Sequence, residues 1–376
     1  MKEPYDIEQI NVMSWLRFPL IVGVVLAHCN LYAIFTNWNG FAPDWPNWLI
    51  YIFQYFYWLL LPARVPTLFI ISGYFFFRSQ KERNTHFFID KYKRRLYSLL
   101  LPYIIWNAIA ILLMYLRYDV IADNNYSLTD YLSGFWSSTI NDNGLPANNP
   151  LWFMRNLMVV TLLAPVIYAF VKGRYGLLAI VFFALCYILD VKIPVTGISC
   201  ESVLYFSVGA YLATHKVNFT SIPKYLGVVV LLLYIPVQFF MNSIAYNSEY
   251  GLFFELPANF IKITAAFYLV SVLFKKNILK PTPKLSKISF LLYALHGIII
   301  GPIIIVLYKL SGCSDNPLAL LGIYISAPLI VLVVTFVFYR FLTKFTPNLA
   351  KAVTGSRGSF DSTEIIHYLC RTFSKR

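Results

Sequence analysis

Charged residues are scarce in this chain of 376 residues. Asp, Glu, Lys and Arg make up 13% of it, about half of their usual share in soluble domains. Acidic residues are the scarcer kind, 17 against 31 Lys and Arg, so the formal net charge is +14. With 59% hydrophobic residues and a mean hydropathy of +0.63, the composition excludes an ordinary soluble domain and indicates an integral membrane protein.

Ten apolar runs are long enough, or nearly so, to cross a bilayer core, which takes roughly 20 helical residues. We predict spans at residues 12–36, 48–77, 95–117, 151–171, 176–190, 201–214, 222–241, 254–274, 287–310 and 317–343. The shortest run, 201–214, is the weakest candidate. The sequence thus predicts an all-α protein, a polytopic helical bundle with about ten transmembrane helices.

Lys and Arg occur almost only on alternate connections between these runs. Segments 78–95 and 275–287 are strongly basic, whereas 118–150 and 243–256 contain neither Lys nor Arg. The positive-inside rule then places both termini in the cytoplasm and 118–150 outside, which an even number of spans satisfies. Because this charge marks topology and attracts anionic lipid, we expect membrane lipid, and no nucleic acid, among the partners.

We divide the chain into one integral-membrane domain, 1–345, and a cytoplasmic tail, 346–376, which is a candidate for an amphipathic helix on the membrane surface. The outer segment 118–150 is longer than a simple connection requires. Its aromatic residues make it a candidate lid.

Cysteine is also scarce, with five residues in the chain. Their spacing fits no metal site, so no metal is expected. Cys200 and Cys313 fall on the predicted outer side, where an oxidising compartment would allow a disulfide. The alternative is two unpaired thiols.

Two polar residues, Arg17 and His28, interrupt the first apolar run. On a helix they lie about 16 Å apart and within about 20° of the same face. This stripe fits a long ligand whose anionic end meets Arg17 and whose reactive end meets His28. The alternatives are a snorkelling arginine and a structural histidine.

Two further cations are candidates for contact with an anionic ligand. Arg64 lies between Pro62 and Pro66, which we expect to bend the second span so that Arg64 points inward, toward a ligand or toward freed carbonyl groups. Arg95 belongs to the basic cluster 93–95 and directly precedes the third apolar run. It is therefore the phosphate-binding candidate of that cluster, and the alternative is a pure topology signal.

Two later spans carry polar residues at helical spacing. Trp152 fits a stacking surface for a sugar or an interfacial belt, and Arg155 lies one turn deeper. Ser289, Tyr293 and His296, at positions i, i+4 and i+7, share one helical face about 10 Å long. His296 is a second candidate for proton transfer, and the alternative is a histidine that hydrogen-bonds a neighbouring helix.

The eighth span contains Glu255 and Lys262, seven residues apart on one helical face. They are too distant for a direct local pair, so we expect Lys262 to pair with a residue of another helix.

Six phrases, in this order along nearly the whole chain, together resemble the membrane-bound acyltransferase family 3. They are Arg17 and His28 with ten residues between them, VPTLFIISGYFFF (65–77), YKRRLYSLLLPY (92–103), PLWFMRNLMVVTLLAP (150–165), LYFSVGAYLAT (204–214) and ISFLLYALH (288–296).

The resemblance implies an enzyme of the bacterial cytoplasmic membrane that transfers an acyl group, acetyl as the first expectation, from acyl-CoA to a hydroxyl of a surface glycan or lipid-linked sugar. Acyl-CoA is then a co-substrate, and no permanently bound cofactor is expected. A neutral histidine suits removal of the hydroxyl proton near pH 7. The expected site residues are, for catalysis, His28 and His296; for the donor, Arg17, Arg64 and Arg95; for the acceptor, Trp152 and Arg155; and in support, Ser72, Tyr293 and Ser289.

Two positions depart from the family pattern. Gly297 follows His296 where proline is frequent, and Cys29 follows His28 where an aromatic residue is frequent. On composition alone, a transporter or flippase of a glycan or lipid-linked precursor is an equal alternative, and it predicts no consumption of acyl-CoA.

Overall fold

A computed structural model describes residues 4–29, 63–78, 82–241, 251–312 and 316–355, and within these ranges it contains helices and no strand. The α-helices are α1 (Pro4–Ala27), α2 (Arg64–Phe77), α3 (Thr85–Arg95), α4 (Leu101–Tyr115), α5 (Leu128–Ser133), α6 (Trp152–Leu162), α7 (Ala164–Val171), α8 (Gly176–Ile188), α9 (Cys200–Thr214), α10 (Lys224–Phe240), α11 (Gly251–Lys275), α12 (Pro283–Leu310), α13 (Pro317–Phe345) and α14 (Pro347–Val353). Other helical turns are the π-helical Leu96–Leu100 and Leu116–Ile121 and the 3-10 turn Asn149–Leu151.

Five helical stretches of the described ranges are long and apolar enough to cross a membrane. They are Ile7–Ala27, Thr85–Ile121, Gly251–Lys275, Lys287–Leu310 and Leu318–Phe345. The pair α6 and α7 forms a sixth candidate, bent by 63°, because Pro165 has no N–H with which to continue the helix. The chain is therefore an all-helical, multi-pass membrane protein, as the composition predicts.

These helices do not reach the predicted number of about ten spans. The predicted spans 176–190, 201–214 and 222–241 correspond to helices of 13, 15 and 17 residues, shorter than the roughly 20 residues of a straight crossing. Residues 48–62 of the predicted span 48–77 lie outside the described residues, and so does Cys313 of the predicted disulfide. The count of ten and the orientation of the termini stay predictions.

The first predicted span, 12–36, had the wrong boundaries. The helix covers Pro4–Ala27, and the N–H of His28 is shared between the carbonyl oxygens of Val24 (3.2 Å) and Val25 (3.1 Å). Such shared bonds are common where a helix closes. His28 therefore follows the helix and does not lie within it.

The third predicted span, 95–117, lies within a longer helix. The Asn84 side chain accepts the N–H of Phe87 (3.0 Å) and caps a helix that runs from Thr85 to Ile121, 37 residues in all. A capping side chain, not the first apolar residue, sets where the helix starts. Much of the basic segment 78–95 is thus helical.

The helices α2 and α9 pack with their backbones in direct contact at two glycines. A Cβ atom added to Gly73 would collide with the carbonyl oxygen of Phe206, and one added to Gly209 with that of Ile70. Small residues permit this approach within a membrane domain. Because α1 packs on α2 and α6 on α9, this pair positions the helices that carry several predicted site residues.

We expect Gly209→Ala to destabilise the protein by about 1–3 kcal/mol through overpacking. The matched control is Gly322→Ala in α13, where an added Cβ meets nothing within 4 Å and alanine favours the helix slightly. Thermal unfolding in detergent measures both effects. Equal melting temperatures of the two variants would contradict the close contact.

Candidate functional site

The helices α1 and α2 run antiparallel, with one arginine at each end of their contact. The Arg17 guanidinium lies 4.4 Å from the centre of the Phe75 ring, near the end of α2. At the start of α2, Arg64 Nη1 donates to the carbonyl oxygen of Gly23 (3.0 Å). Arg64 therefore lies at the His28 end of α1, away from Arg17.

The expected bend at the second span is absent from its described part. Pro66 lies in the first turn of α2, where N–H groups have no intrahelical partner, so a proline there breaks no bond. Pro62 lies outside the described residues. Arg64 accordingly binds a carbonyl group of α1.

Arg17 and Arg95 line one cavity, together with Ser72, Ser289 and Tyr293. The volume of this cavity is about 90 Å³, which corresponds to about three water molecules. These five predicted residues are therefore brought together, and Arg64 does not line the cavity with them. We call this space the arginine cavity.

Only one cation of the basic cluster 93–95 reaches the arginine cavity. Lys93 and Arg94 are exposed, whereas Arg95 is half-buried with its guanidinium 5.9 Å from the centre of the Phe76 ring. Two guanidinium groups that face one cavity suit an anionic group, because each offers several fixed N–H donors.

His28 and His296 meet, with ring centroids 5.1 Å apart. His296 is fully buried, and its Nδ1 donates to the carbonyl oxygen of Leu292 (3.2 Å). Since Nδ1 carries the proton of the neutral ring, Nε2 presents a lone pair, and no described residue hydrogen-bonds it. The His28 side chain is exposed, so His28 is the member of this histidine pair that a substrate can touch.

One face of α12 connects the arginine cavity to the histidine pair. Ser289 and Tyr293 line the cavity, and the Tyr293 ring lies 6.0 Å from the His296 ring. The helical spacing predicts this shared face. From Ser289 to His296 it extends about 10 Å along the helix.

The end of the outer segment 118–150 is fixed to α12 and α4. Asn148 Nδ2 donates to the carbonyl oxygen of Ala294 (2.9 Å), and the Asn148 N–H donates to Asn107 Oδ1 (3.1 Å). The Tyr293 hydroxyl donates to the carbonyl oxygen of Pro150. The segment therefore contacts α12 within one turn of His296.

Gly297 is the position at which this contact leaves no room for a side chain. An added Cβ would lie 2.5 Å from Asn148 Oδ1 and 2.7 Å from the Pro150 ring. Proline, which is frequent at this position in the family, also carries a Cβ and would collide in the same way. The glycine at position 297 thus has a steric reason in this chain.

Of the two predicted acceptor residues, Arg155 contacts the outer segment. Arg155 is buried, and its Nη1 donates to the carbonyl oxygens of Trp136 and Gly144. These bonds occupy part of its guanidinium and hold the segment in place. Trp152 is half-buried at the start of α6.

Hydrogen bonds also give the outer segment a defined fold of its own. Ser127 and Asp130 cap α5 reciprocally, and the hydroxyl groups of Ser127 and Thr139 lower the pKa of the Asp130 carboxyl group. The Tyr131 hydroxyl donates to Asp119 Oδ1 (2.8 Å), and burial together with this carboxylate raises the pKa of Tyr131.

Sequence reasoning missed Asn107 and Asn148, although one signal was present. An asparagine inside an apolar helix, as Asn107 in α4, is costly without a hydrogen bond and so indicates a buried partner. Sequence reasoning also predicts that Lys262 pairs with another helix. In the described ranges buried Lys262 has no ion pair or hydrogen bond, and the carboxylate whose charge acts on it, Glu255, lies on its own helix. The pairing stays a prediction.

The comparison with protein families assigns a class to this architecture. A family described as an acyltransferase domain matches residues 10–350, so the chain belongs to acyltransferase family 3, as the six phrases predict. The chain is also 25% identical, over 378 residues, to the succinoglycan biosynthesis protein ExoH of Rhizobium meliloti (strain 1021), an alignment that covers 93% of this chain and 92% of ExoH. No solved structure matches.

We expect Gly297→Ala to detach the outer segment from α12, since the added methyl group displaces Asn148 and Pro150. Limited proteolysis in detergent should then cut within 118–147 at least several-fold faster than in the unmodified protein. Gly173→Ala, where an added Cβ meets nothing within 4 Å, is the control and should leave the rate unchanged. Unchanged cleavage of Gly297→Ala would contradict the contact.

Proposed function

We propose that this chain transfers an acyl group, in the first place acetyl, from cytoplasmic acyl-CoA to a hydroxyl of an extracytoplasmic or lipid-linked glycan. The family membership supports acyl transfer, and the similarity to ExoH, a succinoglycan biosynthesis protein, supports a glycan as acceptor. The observation that carries the proposal is the polar face of α12, which links the arginine cavity to the histidine pair.

Arg17 and Arg95 bind the donor phosphates in this scheme, with Ser72 and Ser289 as further hydrogen-bonding groups of the arginine cavity. Phosphate is doubly suited to guanidinium because it accepts paired N–H bonds and carries charge. The cavity admits only the inner part of the donor, so the nucleotide extends from it toward the cytoplasm. The acyl end then points along α12 toward Tyr293 and His296.

His28 acts as the general base. Its exposed ring removes the proton of the acceptor hydroxyl as the oxygen attacks the thioester carbonyl carbon. A carbon–oxygen bond forms, the carbon–sulfur bond breaks, and the proton passes from His28 to the departing CoA thiolate. The lone pair on His296 Nε2 is a suitable acceptor for the N–H that His28 gains, so His296 supports the protonated intermediate.

Arg64 belongs to the acyl end of the donor in this scheme. It lies at the His28 end of α1, where negative charge develops on the thioester oxygen during attack. A cation in that position stabilises the transition state more than the ground state. Trp152 and Arg155 remain acceptor candidates, and the outer segment that Arg155 binds would act as a lid.

The same scheme requires a donor from one side of the membrane and an acceptor from the other. We propose about ten crossings in the bacterial cytoplasmic membrane, both termini in the cytoplasm, a membrane domain at 1–345 and a cytoplasmic tail at 346–376. The basic segment that contains Arg95 then faces the pool of acyl-CoA.

The donor assignment predicts different effects for two neighbouring arginines. Arg95→Ala should weaken acetyl-CoA binding about ten- to hundredfold, the effect of losing a charge-assisted hydrogen bond of about 1.5–3 kcal/mol. Arg94→Ala, which removes an exposed charge, should change the affinity by less than about twofold. Isothermal titration of both purified variants with acetyl-CoA measures this, and equal losses would contradict the assignment.

The assignment of the base predicts a loss of turnover without a loss of donor binding. His28→Ala should lower acyl-CoA turnover about 10²- to 10⁴-fold and keep the acetyl-CoA affinity, with exposed His86→Ala as control. CoA release from membranes, measured with endogenous acceptor present, is the assay. Normal turnover of His28→Ala would contradict its role, and sugar transport without any CoA release by the unmodified protein would favour a transporter.

A further inference from the structure

Six polar side chains of α8, α9 and α11 converge near the histidine end of the bundle. We call them the polar cluster: Tyr187, Glu201, Tyr205, Glu255, Asn259 and Lys262. Asn259 Nδ2 donates to Tyr205 Oη and to Glu255 Oε1, both at 3.3 Å, and Tyr187 interacts electrostatically with Glu255. The hydrogen bonds of Asn259 therefore join α9 and α11.

Within the polar cluster, the Lys262 ammonium group lacks hydrogen-bond partners among the described residues. Its side chain is 6% exposed, yet within the described part of the chain no residue pairs with or hydrogen-bonds its ammonium group. Glu255 and Arg64 interact with it only through their charges. A buried ammonium without partners is costly, which indicates that an external group supplies oxygen acceptors.

Glu201 also lacks hydrogen-bond partners, but its carboxylate requires donors where Lys262 requires acceptors. It lies in the first turn of α9, half-buried, and interacts electrostatically with Glu255. No described residue donates a hydrogen bond to its carboxylate. In the polar cluster, the Glu201 carboxylate therefore lacks hydrogen-bond donors, and the Lys262 ammonium group lacks hydrogen-bond acceptors.

This combination selects the chemistry of a ligand. A simple cation would be repelled by Lys262 and Arg64, and a simple anion by Glu201 and Glu255. A sugar satisfies both ends, because each hydroxyl group both donates and accepts. The rings of Tyr187 and Tyr205 pack edge to face, 6.3 Å apart and buried, so they form an apolar wall behind the polar groups.

Arg64 interacts electrostatically with both the polar cluster and the histidine pair. It donates to the carbonyl oxygen of Gly23 in α1, near His28, and its charge acts on both Lys262 and His28. His296, whose ring lies beside that of His28, has a fully buried Nε2 without a described partner. The polar cluster and the histidine pair therefore share one cation, Arg64.

We propose that the polar cluster is the binding site of the acceptor sugar, with Glu201 and Glu255 accepting from its hydroxyl groups and Lys262 donating to its oxygens. This inference rests on the proposed acyl transfer. It places acceptor recognition on α9 and α11, in addition to the region around Trp152 and Arg155.

The test uses the full chain purified in detergent, acetyl-CoA or succinyl-CoA as donor, and decyl glucoside or decyl galactoside as acceptor. Mass spectrometry measures the acylated glycoside, and thiol release measures donor consumption. The variants are Glu201→Gln, Glu255→Gln and Lys262→Met. The matched control is Asp190→Asn, an exposed carboxylate near the end of α8 that pairs only with exposed Lys192.

We expect each cluster variant to raise KM for the glycoside at least tenfold while KM for the donor stays unchanged. The control should match the unmodified protein. Glu201→Gln separates an effect on binding from an effect on folding, because the Glu201 side chain makes no hydrogen bond within the described ranges. The thermal stability of this variant should equal that of the control.

Two results would overturn the inference, and a different one would overturn the proposed function. An unchanged glycoside KM in stable Glu201→Gln and Lys262→Met would exclude the polar cluster as the acceptor site. Active protein that acylates neither glycoside would exclude the sugar assignment. Unmodified protein that releases no CoA from either donor, with glycoside or with membrane extract, would instead reject acyl transfer itself.

Discussion

Polar atoms that helices carry into a lipid environment must find their partners within the protein, because the hydrocarbon core supplies none. This constraint arranges most of what surrounds the histidine pair. Arg64 binds a carbonyl group of α1, Asn148 binds one of α12, and Asn107 accepts the N–H of Asn148. Each bond joins segments that are distant in the sequence, so the polar groups that lipid disfavours are also those that assemble the site.

The same constraint identifies buried polar atoms for which the described part of the protein supplies no hydrogen-bond partner. His296 Nε2 and Lys262 are both buried, and neither has a hydrogen-bond partner among the described residues. Such groups are uncommon in native structures and call for a functional reason. His296 contacts His28, and the charge of Arg64 acts on Lys262, whereas Tyr293 lines the arginine cavity. In the proposed scheme the donor and the acceptor therefore have separate regions.

Sequence reasoning succeeded where one helix carries the whole pattern. The face shared by Ser289, Tyr293 and His296 follows from helical periodicity, and Arg95 was chosen over its neighbours because it adjoins the apolar run. Reasoning failed where a contact depends on how two helices are oriented. The position of Arg64 requires that α1 and α2 be antiparallel, and the end of α1 before His28 depends on a local closing turn that composition does not reveal.

The attachment of Asn148 to Ala294 also has a consequence for the order of assembly. The two residues are separated by 146 positions, so during synthesis the outer segment is made long before α12 exists. Until α12 inserts, the segment lacks its contact with Ala294, and His28 lacks the ring of His296. The histidine pair is consequently completed only at a late stage of translation, so a nascent chain that has inserted just its first helices does not yet have the proposed reactive centre.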